Sequence, residues 1–197
     1  MNLPNRISLF RLMLLPLIVI LKVFPYAQFG FIIPNLRFGF ISISLLNLAV
    51  FILFLVASIS DFLDGYIARK YNQVTTFGKF IDPIADKALT STMFILFAVE
   101  GIIPVVVVLV MIWRDILVDG LRMLAAEKGV VMSAGILGKA KTAVQMVAII
   151  VVLLNNLPFA LWGLPVADML VWLSLLLSIG SGVMYFLGMK EVVFESQ

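Results

Sequence analysis

The sequence predicts an all-α integral membrane protein with six transmembrane helices, and three observations support this fold class. Of the 197 residues, 63% are hydrophobic and only 13% are charged, whereas a soluble domain is about half apolar and about a quarter charged. Apolar runs long enough to cross a bilayer recur along the chain. The basic residues collect at alternate ends of those runs, as the positive-inside rule requires of a membrane protein.

Six apolar segments are separated by glycine, proline or charged residues, and a helix needs roughly 20 residues to cross the hydrocarbon core. In chain order, the predicted spans are Ile7–Phe24, Ile41–Ala68, Phe77–Val99, Ile103–Ala125, Ala140–Leu154 and Val166–Gly188. Ahead of the first span, the residues MNLPNR are expected to form a short interfacial segment. No linker or repeat divides the sequence, so residues 1–197 are expected to form a single membrane domain.

The distribution of basic residues predicts the topology. With the N-terminus in the cytoplasm, 12 of the 14 lysines and arginines lie at inner ends, and only Lys22 and Arg37 lie outside. Both termini are then cytoplasmic, and the protein is expected in the cytoplasmic membrane with its active site facing the cytoplasm. The same placement argues against nucleic acid as a partner, despite the net charge of +3.

The chain contains neither cysteine nor histidine. Zinc sites with Cys or His ligands, cysteine nucleophiles and histidine general bases are therefore excluded. Any metal ion must bind oxygen ligands, and acid–base chemistry must use carboxylates, lysine, tyrosine or water.

Four aspartates lie in one short window of this apolar chain, at Asp61, Asp64, Asp82 and Asp86. The first two are spaced i, i+3 and the last two i, i+4, so each pair shares a helix face. Two antiparallel helices would bring the four carboxylates together, and oxygen-only ligation suits Mg²⁺, Mn²⁺ or Ca²⁺. Ionisable groups within a membrane generally serve function; the alternative is a set of solvated charges at a cytoplasmic loop.

Small and basic residues accompany the aspartates. Gly65, Ala68 and Gly78 leave room for a ligand near the backbone, although small residues also permit close helix packing in membranes. Cations within the window are expected to neutralise part of the carboxylate charge; they are Arg69, Lys79 and Lys87.

Read in order, the window is Asp61-x2-Asp64-Gly65-x2-Ala68-Arg69-x8-Gly78-x3-Asp82-x3-Asp86. This pattern resembles the signature of the CDP-alcohol phosphotransferase family. The stretches NLPNRISLFRL, WRDILVDGLR and GKAKTAVQM are similar to the phosphatidylglycerophosphate synthase branch of that family. The resemblance implies a homodimeric six-helix membrane enzyme with a site for two divalent ions, Mg²⁺ or Mn²⁺. It further implies transfer of the phosphatidyl group from CDP-diacylglycerol to sn-glycerol 3-phosphate, with release of CMP.

The resemblance also implies roles for individual residues. The metal ions would be held by Asp61, Asp64, Asp82 and Asp86, and Asp86 would also be the general base. The CDP group would contact Asn5, Gly65, Ala68, Arg69 and Gly78. The phosphate of the acceptor would contact Arg114, Arg122, Lys139 and Lys141, for which the alternative is a purely topological role. Asp115, where that branch more often has glutamate, and Asp119 are expected to pair with the two arginines.

Other functions remain open at this point. Another acceptor within the family is possible, namely inositol phosphate, serine or phosphatidylglycerol. Intramembrane prenyltransferases also use aspartate-rich motifs, but usually with more helices and two separated motifs. A divalent-cation transporter would be expected to carry acidic residues on both faces of the membrane, whereas here they cluster at the inner face. The sequence assigns no role to Glu100 or Asp168.

Overall fold

The computed structural model describes residues 2–39, 41–71, 75–129 and 135–194, with the backbone alone for Leu3, Pro4, Phe38, Ala68, Arg69, Lys79 and residues 191–194. Across these ranges the chain is about 80% helical, which confirms the all-α class. The described part contains six α-helices and one β-hairpin: α1 (Leu3–Val23), β1 (Asn35–Phe38), β2 (Ile41–Ser44), α2 (Leu45–Lys70), α3 (Thr76–Val99), α4 (Val105–Glu127), α5 (Ile136–Leu153) and α6 (Val166–Phe194).

The N-terminal residues do not form a separate interfacial segment. Helix α1 begins at Leu3, with Pro4 in its first turn, and continues without a break to Val23. Proline is favoured at this position because the first N–H groups of a helix have no intrahelical acceptor. The predicted boundary at Ile7 was therefore wrong, and Asn5 and Ser8 are helical residues.

The second predicted span starts too early. Residues Ile41–Ser44 form a strand that pairs antiparallel with Asn35–Phe38, and the side chains of Ile41 and Ile43 are buried. This alternation of buried and exposed residues is the pattern of a strand. Helix α2 starts only after Ser44, whose hydroxyl accepts a hydrogen bond from the Leu46 N–H at 3.2 Å and caps the helix.

The remaining helices match their predicted spans more closely. Helix α3 begins one residue before the predicted start and contains Pro83 in its interior. Helix α5 begins four residues earlier than predicted, at Ile136, and α6 continues beyond Gly188 to Phe194. Each helix continues past the apolar run into polar residues, which a reading of hydrophobicity alone does not include.

The helices form two groups of three. Helix α1 packs mainly against α2 and α3, whereas α6 packs mainly against α4 and α5. Helices α3 and α5 contact each other and join the two groups, together with the α3–α4 and α2–α5 contacts. Fully buried side chains from both groups form one core, which includes Ile18, Phe54, Met93 and Ile149. This arrangement places a boundary between the groups, where the candidate site lies.

Three helices in the described part are long and apolar enough to cross a membrane by length and composition, over Leu45–Ile67, Ile136–Leu153 and Val166–Lys190. The other helices, α1, α3 and α4, carry charged residues along their length. Large apolar side chains are nevertheless exposed on all six helices, for example Ile20 on α1, Leu117 on α4 and Leu176 on α6. An apolar surface of this extent indicates a lipid environment.

Glu100, which had no predicted role, forms an ion pair with Lys22, and Lys22 in turn links α1 to α2. The ammonium group of Lys22, at the end of α1, contacts the Glu100 carboxylate at 2.7 Å and donates to Asn47 Oδ1 at 2.7 Å. The Lys22 side chain is almost wholly buried, so its charge needs these partners. Asp168 lies in the first turn of α6, where a carboxylate interacts favourably with the helix dipole.

Candidate active site

The four aspartates of the window come together, and three of them, Asp61, Asp64 and Asp86, contact a cation that sequence reasoning did not place there. Arg11 Nη1 lies 2.5 Å from Asp61 Oδ1 and 2.6 Å from Asp86 Oδ1. Arg11 Nη2 lies 2.6 Å from Asp64 Oδ2. One guanidinium from α1 therefore connects carboxylates of α2 and α3.

Ser8 connects the fourth aspartate to the cluster. Its hydroxyl oxygen lies 2.8 Å from Asp82 Oδ1 and 3.0 Å from Asp64 Oδ2. A hydroxyl carries a single proton, so it donates to one of the two carboxylates at a time. Ser8 and Arg11 are three residues apart and lie on the same face of α1, so this face contacts all four aspartates.

The cluster opens toward one side. The side chains of Arg11 and Asp64 are buried, at 0% and 3% exposure, whereas Asp61 and Asp86 are 31% and 37% exposed. A ligand can therefore reach Asp61 and Asp86 more directly than Asp64. Asp86 also lines the cavity described below, together with Asp82.

The donor set suits a divalent cation in its chemistry, although Arg11 lies among the donors. Four carboxylates supply only oxygen ligands, which Mg²⁺ and Mn²⁺ prefer, and the single guanidinium balances one of their four charges. In the described residues no group of three or more acidic side chains is spaced to hold a metal ion. Coordination therefore requires the carboxylates to turn from the guanidinium toward the metal.

Two of the residues predicted to contact CDP, Asn5 and Gly78, lie next to each other. The Asn5 side chain is buried and its Oδ1 accepts a hydrogen bond from Thr75 Oγ1 at 2.8 Å. A Cβ at Gly78 would lie 3.2 Å from that same Oδ1. The absence of a side chain at Gly78 thus allows α1 and α3 to approach closely, which is the packing alternative considered for this residue.

Of the other residues in this group, Gly65 is described in full, whereas Ala68 and Arg69 are described by their backbone alone. Gly65 is a half-buried position on α2, one residue after Asp64. The side chains of Ala68 and Arg69 lie outside the described residues, as does that of Lys79. Lys87, expected to neutralise the aspartates of the window, instead forms an ion pair with Asp119.

A cavity of about 610 Å³ lies beside the aspartate cluster, between α3, α4 and α5. It brings the two predicted sets of residues together, since its lining includes Asp82 and Asp86 from the acidic window. The lining also includes all four of the predicted basic residues, Arg114, Arg122, Lys139 and Lys141. One space can therefore hold an anion on one side and a metal-bound diphosphate on the other.

Arg114 is held by Asp115 on its own helix, α4, and by two serines of the neighbouring helix α6. Its Nη1 donates to Asp115 Oδ1 at 2.8 Å, and its Nε and Nη2 donate to Ser178 O and Ser181 Oγ on α6 at 3.1 and 2.7 Å. Its Cγ lies 2.9 Å from the position that a Cβ on Gly182 would occupy. Arg114 is thus fitted against α6, with its polar atoms largely committed to protein partners.

Lys141 is also tied to the protein. It forms an ion pair with Asp115, which Arg114 contacts as well. Asp115 therefore orients two of the four cations. The predicted pairing of Asp119 with an arginine was wrong, because Asp119 pairs with Lys87.

Tyr185 of α6 positions Arg122. The Arg122 Nη2 donates to the Tyr185 hydroxyl at 2.5 Å, and its guanidinium lies 5.0 Å from the centre of the ring. The same hydroxyl accepts a hydrogen bond from the Gly135 N–H at 3.3 Å, at the start of α5. Lys139, about one helical turn after Gly135, is exposed and lines the cavity. Lys139 and Arg122 are thus the cations best placed to contact an anion.

Sequence reasoning missed Ser8, Arg11 and Tyr185. Arg11 carried a usable signal, because an arginine inside an apolar helix needs an anionic partner. The aspartate window contains the carboxylates that could serve as that partner. Counting Arg11 only toward topology concealed that signal. Tyr185 carried no comparable signal, since an aromatic residue in an apolar helix is ordinary.

Comparison with known proteins identifies the family to which the chain belongs. Residues 1–180 match the model of the family described as CDP-alcohol phosphatidyltransferase. A relative from Bacillus subtilis (strain 168) is 43% identical over 185 residues, which cover 94% of this chain and 93% of the relative. A relative from Rickettsia felis is 36% identical over 191 residues, covering 96% of each chain. Both relatives are named CDP-diacylglycerol–glycerol-3-phosphate 3-phosphatidyltransferase.

Proposed function

Because the chain belongs to the CDP-alcohol phosphatidyltransferase family, we propose that it transfers the phosphatidyl group from CDP-diacylglycerol to sn-glycerol 3-phosphate. The products are phosphatidylglycerophosphate and CMP. The observation that carries this proposal is the cavity in which the acidic window faces four basic residues. The names of the relatives from Bacillus subtilis and Rickettsia felis support the same pair of substrates.

The donor binds at the acidic side. Asp61, Asp64, Asp82 and Asp86 are the residues that would hold two divalent ions, Mg²⁺ or Mn²⁺. The chemistry that such ions supply when bound is polarisation of a diphosphate and stabilisation of charge on the leaving phosphate. Asn5, Gly65, Ala68, Arg69 and Gly78 form the predicted CDP site around these carboxylates, and Asn5 and Gly78 are already in contact range of one another.

The acceptor binds at the basic side. Glycerol 3-phosphate is an anion, and arginine can bind its phosphate through two hydrogen bonds. Arg122 and Lys139 contact the phosphate most directly. Arg114 and Lys141 share Asp115 as a partner, so they contribute positive charge and shape the cavity wall.

Asp86 accepts the proton from the acceptor hydroxyl. It lines the same cavity as the basic residues and is the most exposed aspartate among the three that Arg11 contacts. The freed oxygen attacks the β-phosphorus of CDP-diacylglycerol, and the bond to the CMP oxygen breaks. With no histidine in the chain, a carboxylate is the natural general base at neutral pH.

The same proposal includes the setting of the enzyme. All six helices span the cytoplasmic membrane, both termini are cytoplasmic, and the active site faces the cytoplasm, as the distribution of basic residues predicts. The protein is a homodimer. Apolar side chains exposed on every helix support a location in lipid.

The proposal is tested with protein purified in detergent and supplied with CDP-diacylglycerol and Mg²⁺. CMP release is followed with and without glycerol 3-phosphate, for the unaltered protein and for D86N. Release that needs both glycerol 3-phosphate and the metal, and that D86N abolishes, is the expected result. Release with serine or inositol phosphate in place of glycerol 3-phosphate would overturn the acceptor assignment. No release with any acceptor, from protein shown to be folded, would overturn the enzyme assignment.

A further inference from the structure

Arg11 is a fully buried cation within an apolar helix. Its side chain is 0% exposed, and its guanidinium contacts three carboxylates within 2.6 Å. Its Nε is buried without a hydrogen-bond partner among the described residues. Burial of a charge is strongly unfavourable unless the charge is closely paired, so the three carboxylates are what keep Arg11 in this position.

The contacts of Arg11 join residues that no helix could bring together alone. Nη1 bridges Asp61 of α2 and Asp86 of α3, and Nη2 holds Asp64 of α2. Without a cation between them, these carboxylates would repel one another. The guanidinium therefore assembles the cluster as well as balancing part of its charge.

The oxygens that Arg11 contacts belong to residues that are proposed to hold the metal ions. They belong to three of the four carboxylates in the donor set, and Nη1 sits between two of them. A guanidinium and a divalent ion cannot occupy the same space between Asp61 and Asp86. Each cation binds the cluster better when the other does not, which is a negative coupling between them.

We propose that Arg11 is a positioning residue that acts as an internal counter-ion and competes with the divalent cation for Asp61, Asp64 and Asp86. The proposal rests on the proposed function only in assigning the metal to the aspartates. Arg11 holds the carboxylates together before the metal binds, and the metal must displace it. The competition weakens metal affinity and reduces the dependence of folding on the metal.

The chain provides a matched control at the other end of the same helix. Lys22 is also a nearly fully buried cation of α1 in an ion pair, with Glu100, and it is remote from the aspartates. K22M removes a buried charge from α1 just as R11M does. R11K retains a positive charge, but an ammonium group cannot bridge carboxylates as the planar guanidinium does.

The test measures Mn²⁺ binding by electron paramagnetic resonance and thermal unfolding in EDTA and in Mn²⁺, for purified full-length protein in detergent. R11M is expected to bind Mn²⁺ at least about tenfold more tightly than the unaltered protein, within the usual range of coupling between sites. R11K is expected to lie between them. R11M should have a lower Tm in EDTA and regain stability in Mn²⁺, whereas K22M should lose stability in both and keep the unaltered Mn²⁺ affinity.

Mn²⁺ affinity in R11K equal to or weaker than that of the unaltered protein would overturn the proposal. R11K decides the question even where R11M does not fold, since it preserves the charge. The proposed function is tested separately, because Mn²⁺ binding requires neither CDP-diacylglycerol nor glycerol 3-phosphate. Absence of transfer in the unaltered protein would refute the proposed function. The order of Mn²⁺ affinities among the variants would still test the competition between Arg11 and the metal.

Discussion

Replacing Gly182 by alanine is expected to disturb Arg114 directly. The new Cβ would lie 2.9 Å from Arg114 Cγ, closer than carbon atoms pack at their optimum of about 3.5–4.0 Å. The contact is with the stem of the arginine, and the far end of that side chain is anchored to Ser178 and Ser181. Arg114 cannot move away without losing those hydrogen bonds.

Gly180 is a matched control on the same helix, because a Cβ there would meet nothing within 4 Å. Both changes replace glycine by alanine in a helix, so both gain the same propensity, about 1 kcal/mol. The difference in the free energy of unfolding between G182A and G180A therefore reports the overpacking alone. Overpacking of this kind costs about 1–3 kcal/mol.

The assay compares thermal unfolding of G182A and G180A in detergent with the KM for glycerol 3-phosphate. For a chain of this length, 1 kcal/mol shifts Tm by about 2–4 °C, so G182A should unfold at least 2 °C, and up to about 12 °C, below G180A. The KM for glycerol 3-phosphate should rise in G182A alone, because Arg114 lines the cavity. Equal Tm and equal KM in the two variants would refute this account of Gly182.

Three further changes separate the roles of neighbouring residues. Y185F removes the hydroxyl that accepts a hydrogen bond from Arg122. Because a hydrogen bond to a charged group contributes about 1.5–3 kcal/mol, the KM for glycerol 3-phosphate should rise at least tenfold in a steady-state assay. The KM for CDP-diacylglycerol should be unchanged. K139Q should also raise only the glycerol 3-phosphate KM, whereas K190Q, an exposed lysine of α6 outside the cavity, should leave both unchanged. E100Q leaves a buried lysine with a weaker partner and should lower Tm without altering either KM.

The helical content and the meeting of the aspartates were predictable because both depend on local spacing. The i, i+3 and i, i+4 intervals place Asp61 with Asp64 and Asp82 with Asp86 on single faces of α2 and α3. The short connection between these helices then brings the two faces together. Long apolar runs likewise indicate helices regardless of their neighbours.

The elements that sequence reasoning placed wrongly depend on tertiary contacts. Residues 41–44 read as the start of a hydrophobic span, but pairing with residues 35–38 makes them a strand. Lys87 lies within the aspartate window, yet the approach of α4 places Asp119 beside it. The partner of a charged residue is determined by helix packing, which a single sequence does not specify.

The division of the fold into two groups of three helices separates the two halves of the proposed reaction. Helices α2 and α3 carry every carboxylate assigned to the donor and are supported from α1, while the cations assigned to the acceptor belong to α4 and α5 and are supported from α6. Substitutions in α4, α5 or α6 can therefore change which alcohol is accepted without altering how the nucleotide is held. A protein built in this way can acquire a new acceptor by remodelling one half of its structure and inheriting the other half intact.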